Sequence, residues 1–582
     1  MIFVPTLARM PTMPKTRAAA AIAALAAGTL VGSGGTAQAA QTGCDAPATH
    51  RIAQVQGPGD ATPLEGRTVR VEGVVTADFQ RDDQLGGFFI QDPAPDDDPA
   101  TSEGLFVFAD ASRGDVRVGD RVLVTGRAAE YHGLTELADV SAVDVCGTGA
   151  VAPTRHALPL PEGASLEPYE GMLLTFPQPL TATEHYRLGR YGELTVSAGG
   201  RLFQPTDRPG ISQEANDRRR LLIDDGSTRQ NPPQVPFLSP QPVRLGDTVR
   251  GLTGVLDHRF DSYRLQPTRR AVFQRTNPRP ERPRPVGPAN VTVASFNTLN
   301  WFTTLNRRGA DTPQEQERQL AKLVAALKGL NADVVGLMEV ENNGDTAVKA
   351  LVDRLNAELG ANVYSWIRHP NPGSDEIHVS LIYKPGRVAP VGAPRSSTDE
   401  DFDRPPLAQT FRRVAGGEPF TVIVNHFKSK GCDGAAGEEA DQGDGQGCWN
   451  PKRVRQARAV AALAADVPHP LVIGDLNAYG DEDPIKTLKA AGFTSQTERF
   501  VPAGDRYSYV FDGQAGELDH VLASRPLAGR VTGAAIWHIN ADEPPILDYN
   551  TEYNPPSLYA PDAYRSSDHD PIIVGLRLHG GR

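Results

Sequence analysis

Cysteine is scarce in this sequence, with four residues among 582, namely Cys44, Cys146, Cys432 and Cys448. None of them belongs to a closely spaced C-x2-C pair, which argues against a structural zinc site. Positive charge is also in deficit, with 59 Lys and Arg against 71 Asp and Glu. The formal net charge of −12 argues against a chain that binds nucleic acid through bulk positive charge. It leaves open an enzyme that handles phosphate through metal ions, because acidic clusters then form the site.

Long hydrophobic runs are missing downstream of the N-terminal segment, so the sequence predicts no membrane span there. At the start, Lys15 and Arg17 precede the apolar run AAAAIAALAAGTLV, and the small residues AQA at positions 37–39 follow. This order is typical of a secretory signal peptide, whereas a membrane anchor needs about 20 apolar residues. We therefore expect residues 1–39 to be a signal peptide and the mature chain to be secreted, with no membrane partner.

An even number of cysteines in an exported chain favours two disulfide bonds. Proximity along the chain suggests Cys44 with Cys146 and Cys432 with Cys448, although four cysteines allow three pairings.

The segment from Cys432 to Cys448, GCDGAAGEEADQGDGQGC with its preceding glycine, has two interpretations. Asp441 and Asp444 could hold a structural Ca²⁺ together with backbone carbonyls, although their spacing is not that of an EF-hand. The alternative is a solvated Gly-rich loop closed by the disulfide.

The first half of the chain has an all-β pattern. Residues 40–150 alternate apolar and polar residues in short runs such as TVRVEGVVTADF, separated by Gly and Asp turns. Residues 151–276 end in VRLGDTVRGLTGVL, which echoes VRVGDRVLVTGRA in the first region. We therefore predict two related small β-barrels, similar to oligonucleotide-binding (OB) barrels.

These predicted barrels carry residues suited to binding a nucleic acid strand. Phe79, Phe88, Phe89 and Tyr131 could stack on bases, and the arginines at 218–220 could contact phosphates. The alternative is that the aromatic rings fill the barrel cores and the arginines are solvated. If the barrels bind DNA, a chain starting near Val286 should keep its turnover and lose some affinity.

The second half changes character after the segment 277–289, whose prolines predict a stiff interdomain linker. In residues 290–582, Thr312, Pro313 and Glu315 form the capping box of a predicted helix, DTPQEQERQLAKLVAALKGL. Runs such as VTVASF, DVVGLM, TVIVN, PLVIG and PIIVGL are rich in Val and Ile on both faces. Such strands are covered on both sides, so this half is predicted to be a layered α/β domain.

Polar residues recur at the ends of these strands, where a layered α/β domain usually forms its cleft. Each residue alone is explained as a turn or cap residue, but GDLN followed by GDEDP is more specific. The residues are Asn297, Glu339, His426, Asp475, Asn477, Asp519, Asp568 and His569.

Taken in order, these motifs resemble the endonuclease/exonuclease/phosphatase superfamily, which includes deoxyribonuclease I and sphingomyelinases, from Val291 to about Leu578. The stretches NHFKSKGC, GDLNAYGDEDP, YSYVFDGQAGELDHVLAS and SSDHDP look like its secreted bacterial ExeM/NucH-like branch. The resemblance implies a four-layered α/β sandwich, like that of deoxyribonuclease I, behind two OB-like β-barrels. It also implies a secreted endonuclease whose substrate is DNA, with RNA as an alternative. No protein partner is implied.

Phosphodiester hydrolysis needs a hard cation, and Glu339 with Asp568 offers oxygen ligands suited to Mg²⁺ or Mn²⁺. The resemblance adds Asn297 as a supporting group. Asp475 is the best candidate to take the proton of the attacking water, and Asn477 would donate a hydrogen bond to the phosphate.

The departing oxygen needs a proton or positive charge, which His426 and His569 can supply from opposite sides of the phosphate. Asp519 would orient His569 and favour its charged form. Asp570 is interpreted as a cap of the turn before Pro571.

One departure from the family pattern and two alternative functions belong with this prediction. His378 stands where many relatives carry Lys or Arg, so no phosphate contact is assigned to its strand. A phosphodiesterase acting on a lipid or sugar phosphodiester would keep the chemistry and change the substrate. A non-catalytic nucleic-acid-binding protein fits poorly, because none of the polar positions has been lost.

Overall fold

The computed structural model describes residues 43–238 and 242–579. The predicted signal peptide, residues 1–39, lies outside the described residues. Within the described ranges, no helix combines the length and the apolar character needed to cross a bilayer. Elements are labelled in chain order.

The first region is a closed five-stranded barrel with the strand order β1-β2-β3-β5-β4. Strand β4 pairs with β1 to close it, and β3 runs parallel to β5. The Cys44–Cys146 disulfide ties the start of the described chain to β5. The likeness of this barrel to OB barrels stays a prediction. Its elements are α1 (Ile52–Gln56), β1 (Thr68–Phe79), β2 (Gly87–Gln91), β3 (Gly104–Val107), β4 (Asp120–Tyr131) and β5 (Leu134–Thr148).

The second region is an eight-stranded sheet with the order β12-β8-β9-β11-β14-β13-β7-β6. Its elements are β6 (Thr154–Arg155), β7 (Leu173–Phe176), β8 (Leu180–Glu184), α2 (Leu188–Tyr191), β9 (Leu194–Ala198), β10 (Leu202–Phe203), α3 (Gln213–Asp217), β11 (Arg220–Ile223), β12 (Thr248–Val249), β13 (Leu252–Arg259) and β14 (Ser262–Pro267).

The second predicted barrel-like region is an open eight-stranded sheet within the described residues. Its outer strands, β6 and β12, are two residues long and offer little to pair. Between β11 and β12, Pro232, Pro233 and Pro236 have no N–H to donate to a ladder. Strand β10 leaves the sheet and pairs elsewhere.

The sequence similarity between the two regions corresponds to a Gly-Asp turn that has the same conformation in both. Gly119 and Gly246 both adopt a left-handed backbone, with φ of 95° and 96°. In the first turn, the Arg117 N–H donates to Asp120 Oδ2 at 2.8 Å. In the second, the Arg244 N–H donates to the carboxylate of the next Asp, Asp247, at 3.1 Å.

The aromatic residues proposed to stack on bases divide into two groups. Phe79, Phe88 and Phe89 are buried, Phe88 in the barrel core and the other two in a cluster that includes Val255 of the second region, whereas Tyr131 is 50% exposed. Arg219 donates to the Ala198 carbonyl, and Arg220 pairs with Asp512 at 2.9 Å with its side chain 23% exposed.

Within the described residues, the third region contains two stacked sheets, a separate hairpin of β25 and β26, and six α-helices. The strands are β15 (Val291–Trp301), β16 (Val334–Glu341), β17 (Ser365–Ile367), β18 (Ile377–Tyr383), β19 (Val388–Pro390), β20 (Arg395–Ser396), β21 (Leu407–Arg413), β22 (Phe420–His426), β23 (Pro470–Asp475), β24 (Phe493–Ser495), β25 (Tyr509–Phe511), β26 (Gln514–Gly516), β27 (Asp519–Ser524), β28 (Val531–Ile536) and β29 (Ile572–Leu576). The helices are α4 (Pro313–Leu330), α5 (Thr346–Leu359), α6 (Asn450–Ala465), α7 (Asp483–Ala490), α8 (Gln496–Phe500) and α9 (Arg525–Ala528).

The two sheets form the middle of a sandwich. One has the order β17-β18-β16-β15-β29-β28, and the other has the order β19-β21-β22-β23-β27-β24 with β20 on β21. Val293 and Ile473 share the core between the sheets. Because side chains alternate along a strand, the opposite faces pack against α4 and α5 on one side and α6 and α7 on the other. This is the four-layered arrangement that the resemblance implies.

Helix α4 begins as its sequence predicts. The Thr312 hydroxyl accepts from the Glu315 N–H at 3.2 Å, and the Glu315 carboxylate accepts from the Thr312 N–H at 3.1 Å. Leu323 and Leu327 on its apolar face are buried against the first sheet.

The Pro-rich segment 277–289 has no helix or strand, but it is packed along the third region. The indole of Trp537 donates to the Pro280 carbonyl at 2.9 Å, and the Thr532 hydroxyl donates to the Val286 carbonyl at 2.6 Å. The segment therefore lies against the sandwich as a strap.

Candidate active site

Strand register brings three of the predicted residues side by side. His426 ends β22 and is paired with Asp475, which ends the parallel neighbour β23. Asp475 is paired in turn with Asp519 at the start of the antiparallel strand β27. Directly paired residues point to the same face of a sheet, so these three side chains enter one cleft.

The Asp475 carboxylate lies between two imidazoles. Its Oδ2 is 3.5 Å from His426 Nε2 and 3.9 Å from His569 Nε2. The other ring nitrogen of His569, Nδ1, is 2.6 Å from Asp519 Oδ2. All four side chains are buried.

Glu339 reaches this cluster from the other sheet. Its Oε1 accepts from Asn297 Nδ2 at 3.1 Å, its Oε2 accepts from the Asn300 N–H at 3.0 Å, and Oε1 is 4.0 Å from His426 Nε2. Glu339 has a left-handed backbone with φ of 61°, at an irregularity in the pairing of β16 with β15 and β18. A bulge of this kind re-aims a side chain, and strain at a non-Gly residue is typical of functional sites.

The turn before β29 presents Asp568 and His569. The Ser567 hydroxyl accepts from the His569 N–H at 3.2 Å, and the Asn540 amide donates to the His569 carbonyl at 2.7 Å. The interpretation of Asp570 as a local cap was wrong. Its carboxylate accepts from the Asn540 N–H at 2.8 Å and binds a distant loop instead.

Asn477 supports the cluster from the loop after β23. Its N–H donates to Asp475 Oδ1 at 2.9 Å, and its side-chain amide donates to the Phe427 carbonyl at 3.2 Å. The first bond fixes the Asp475 carboxylate. The second leaves one amide hydrogen for a ligand.

Burial and charge give the two histidines opposite states. Burial lowers the pKa of His426 well below its usual value, and the positive charges of Arg404 and His569 lower it further. Burial would also lower the pKa of His569, but Asp519, Asp475 and Asp568 hold it well above its usual value. His426 is therefore neutral and His569 is positively charged, so of the two only His569 carries a positive charge.

The two carboxylates facing these rings hold protons unusually strongly. Burial raises the pKa of Asp475 to about 7, with Asp519 and Glu339 adding to the rise and His569 opposing it. Burial also raises the pKa of Glu339, and the negative charge of Asp568 raises it further. Repulsion between Glu339 and Asp568 would be relieved by a cation between them.

Residues 295–569, which span this cleft, match the model of the Endonuclease/Exonuclease/phosphatase family. These residues are an endonuclease/exonuclease/phosphatase domain. Residues 135–277 match a second model, described as Domain of unknown function (DUF8508). No curated protein matches the chain.

Solved structures similar to the chain cover its endonuclease/exonuclease/phosphatase half. The human Nocturnin catalytic domain is 18% identical, with 50% of this chain and 97% of that chain covered and a TM-score of 0.34. D. rerio TDP2 complexed with a single strand DNA product is 16% identical, with 49% and 98% covered and a TM-score of 0.33. Bacteroides thetaiotaomicron mannosyl-6-phosphatase is 14% identical, with 50% and 100% covered and a TM-score of 0.33. Values this low say nothing about the substrate of this chain.

The donor set of the endonuclease/exonuclease/phosphatase domain fits a small hard cation. Mg²⁺ usually takes one or two carboxylates and keeps several waters, and Glu339 with Asp568 supplies the carboxylates. Asn300 Oδ1, beside Glu339, is buried and lacks a hydrogen-bond partner within the described ranges. No three His, Cys, Asp or Glu side chains in those ranges form a group that could hold a metal.

In the disulfide loop, the described residues include no group of three His, Cys, Asp or Glu side chains that could hold the Ca²⁺. Cys432 and Cys448 are bonded to each other, as their proximity in sequence suggests. Asp441 and Asp444 each accept the backbone N–H two residues further on, at 2.9 Å in both cases. Their oxygens shape the turns of the loop itself.

Sequence reasoning missed one cation of the endonuclease/exonuclease/phosphatase domain. Arg404 is buried, donates to the Phe427 carbonyl at 2.6 Å and feels the charges of Glu339 and Asp475. It lies in the irregular segment DFDRPP, which gives no periodic signal. His378, in contrast, is buried and neutral, because burial lowers its pKa to about 4.

Two further missed residues touch the predicted cluster directly. The ring of Tyr509 lies 4.6 Å from the ring of His569, and the Ser508 hydroxyl accepts from the Asp519 N–H at 3.0 Å. Both lie in YSYVFDG, a stretch that carries the family resemblance, so a residue-by-residue reading of that motif could have found them.

Proposed function

We propose that the chain is a secreted, metal-dependent endonuclease that hydrolyses phosphodiester bonds of DNA. The observation that supports this most is one carboxylate, Asp475, set between a neutral and a charged imidazole and facing the acidic pair Glu339 and Asp568. Acid–base groups and oxygen ligands for a hard cation then meet in one cleft, as hydrolysis of a phosphodiester requires.

Glu339 and Asp568 would hold Mg²⁺ or Mn²⁺, with Asn297 fixing the Glu339 carboxylate. When bound, the cation would withdraw negative charge from the phosphate. No third carboxylate is needed, since Mg²⁺ keeps water ligands.

Asp475 is proposed as the general base for the attacking water. A base works best when its pKa lies near the operating pH, and burial raises that of Asp475 to about 7. The Asn477 N–H donates to Asp475 Oδ1 at 2.9 Å, which leaves Asp475 Oδ2 to face the water.

His569 and Arg404 are proposed to bind the phosphate charge. Asp519 keeps His569 protonated through the 2.6 Å hydrogen bond, and a charged donor stabilises the transition state most strongly in a buried site. His426 is neutral, so we propose that it donates or accepts a hydrogen bond at the phosphate. Its Nδ1 is buried and has no partner in the part of the chain that the structure describes.

Export is supported by the N-terminal sequence and by two disulfides, which form in oxidising compartments. The closed first barrel supports the likeness to OB barrels. Phe88 fills its core and Phe89 is buried in a cluster that includes Val255 of the second region, so we propose no stacking of bases on them.

The test is to incubate the purified mature chain with plasmid DNA, RNA, a lipid phosphodiester and a sugar phosphomonoester, each with Mg²⁺ or with excess chelator. We expect cleavage of DNA with Mg²⁺, none in chelator, and none by Asp475→Asn, which controls for contaminating nuclease. Cleavage in chelator would overturn the mechanism, and hydrolysis of the lipid or sugar substrate without DNA cleavage would overturn the substrate.

A further inference from the structure

We propose that the second region, residues 151–276, is part of the catalytic unit, because it holds in place the two segments that orient His569. The inference rests on the proposed hydrolase function. It assigns positioning roles to Glu184 and Arg244, which lie far from the cleft in sequence and do not touch it.

The first segment is the hairpin of β25 and β26, which the second region completes. Strand β10 pairs in parallel with β26, so that Leu202 faces Gln514 and Phe203 faces Ala515 in a three-stranded sheet. The next residue, Gln204, donates from its backbone to the Ala515 carbonyl at 2.9 Å. A two-stranded hairpin is marginally stable alone, so the third strand matters to its geometry.

The tip of the hairpin is held by a side chain of the second region. Glu184 Oε2 accepts from the Gly513 N–H at 2.8 Å, where the hairpin turns. Beside it, Arg220 pairs with Asp512 at 2.9 Å. The hairpin therefore has contacts with the second region along both its strand and its tip.

This hairpin orients His569 and its carboxylate partner. Tyr509 in β25 packs its ring on the His569 ring at 4.6 Å. Ser508, directly before it, accepts from the Asp519 N–H at 3.0 Å through its hydroxyl and from the Asp570 N–H at 2.8 Å through its carbonyl. A shift of the hairpin would move the ring contact and both hydrogen bonds together.

The second segment is the loop at residues 537–543, which is held by buried arginines. Arg244 and Asp542 are fully buried and 3.3 Å apart, and Arg244 also pairs with Glu543. Arg201, also from the second region, pairs with Asp542 at 2.7 Å. Buried charges of this kind need their partners, because an unpaired charge in the interior is strongly unfavourable.

The loop at residues 537–543 is hydrogen-bonded to the turn that carries His569. Asn540 donates to the His569 carbonyl at 2.7 Å and accepts from the Ser566 N–H at 2.9 Å. His538 Nδ1 is 2.8 Å from the Asp570 carboxylate. Two separate routes, through the hairpin and through this loop, thus run from the second region to His569.

The test compares variants of Glu184 and Arg244 with a matched control. Glu184→Ala removes the acceptor for the hairpin tip, and Glu184→Gln restores a neutral one. Arg244→Lys keeps the charge and shortens its reach. The control is Arg187→Gln, because Arg187 is in the second region, is 48% exposed and pairs with Glu193 rather than with a residue of the hairpin or the loop.

The first readout does not depend on activity. In chain labelled with [13C]histidine and kept in chelator at one pH, the His569 resonance is assigned with His569→Gln. Tyr509→Leu then shows how far loss of the ring contact moves it. We expect Glu184→Ala and Arg244→Lys to move the His569 resonance, Glu184→Gln to move it less than Glu184→Ala, and Arg187→Gln to leave it in place.

The second readout is plasmid cleavage with Mg²⁺. Misplacing a reacting group by a fraction of an ångström should lower kcat by about tenfold in Glu184→Ala, with KM changed by less than about twofold. Glu184→Gln should recover part of the loss. If folded Glu184→Ala has the wild-type His569 resonance and the wild-type kcat, the inference is overturned. This outcome is decisive even if Arg244→Lys does not fold. If wild type cleaves nothing, the proposed function fails, while the resonance still decides whether the second region positions His569.

Discussion

Replacing Asp519 with asparagine removes the charge that holds His569 in its protonated form. The two side chains are 2.6 Å apart and less than a tenth exposed. A hydrogen bond to a charged group contributes about 1.5–3 kcal/mol. Since each 1.36 kcal/mol is about a tenfold change in rate, Asp519→Asn should lower kcat/KM by about 10- to 100-fold.

The loss should also depend on pH, and its sign follows from the direction of the pKa. Asp519 raises the pKa of His569, so the variant loses the imidazole proton at lower pH than wild type does. The ratio of wild-type to variant activity should therefore grow as the pH rises above the ordinary histidine pKa of about 6.5.

The assay is nicking of supercoiled plasmid at saturating Mg²⁺ over that range, with circular dichroism to confirm folding. Asp353→Asn is the control, because Asp353 is exposed on α5 and pairs with Lys349 on the same helix. A folded Asp519→Asn variant with wild-type activity at every pH would refute the role of Asp519, and a large loss that is constant with pH would refute its link to protonation.

Three further predictions concern the cleft. Glu339→Gln and Asp568→Asn should each weaken Mn²⁺ binding measured by calorimetry; unchanged binding in both would remove them as ligands. His426→Ala and His569→Ala should each lose most activity, and the double variant should lose little more, because both act on one transition state; fully multiplicative losses would contradict this. Burial raises the pKa of Asp475 to about 7, so activity should rise with pH through about 7 as the base loses its proton, and a flat wild-type profile would argue against it.

The strand ends of the site were predictable, because Val- and Ile-rich runs mark buried strands and a polar residue after such a run marks its end. His426, Asp475 and Asp519 come together through strand pairing alone. The same holds for the start of α4, where Thr312 and Glu315 interact over three residues.

What could not be predicted depends on contacts between distant residues. Arg244 is 298 positions from Asp542, and nothing local in VRLGDTVRGLTGVL marks it as buried. Burial keeps His426 neutral and the charge of Arg404 adds to the effect, and the position of Arg404 follows no sequence pattern. The expectation that a chain starting near Val286 keeps its turnover rested on the Pro-rich segment as a boundary. Such a chain would lose β10 and leave Asp542 without Arg201 and Arg244.

His426, Asp475 and Asp519 enter the cleft together only when their three strands are paired in the correct register. A strand displaced by one residue turns every side chain to the opposite face, so a slip of β23 against its neighbours would send the Asp475 carboxylate into the helix-facing core. Misregistered molecules would contribute no turnover, however well the rest of the sandwich had formed. The specific activity of a preparation is therefore proportional to the fraction of molecules with correct strand pairing. When a core variant has low specific activity, active-site titration should first establish what fraction of its molecules is correctly folded.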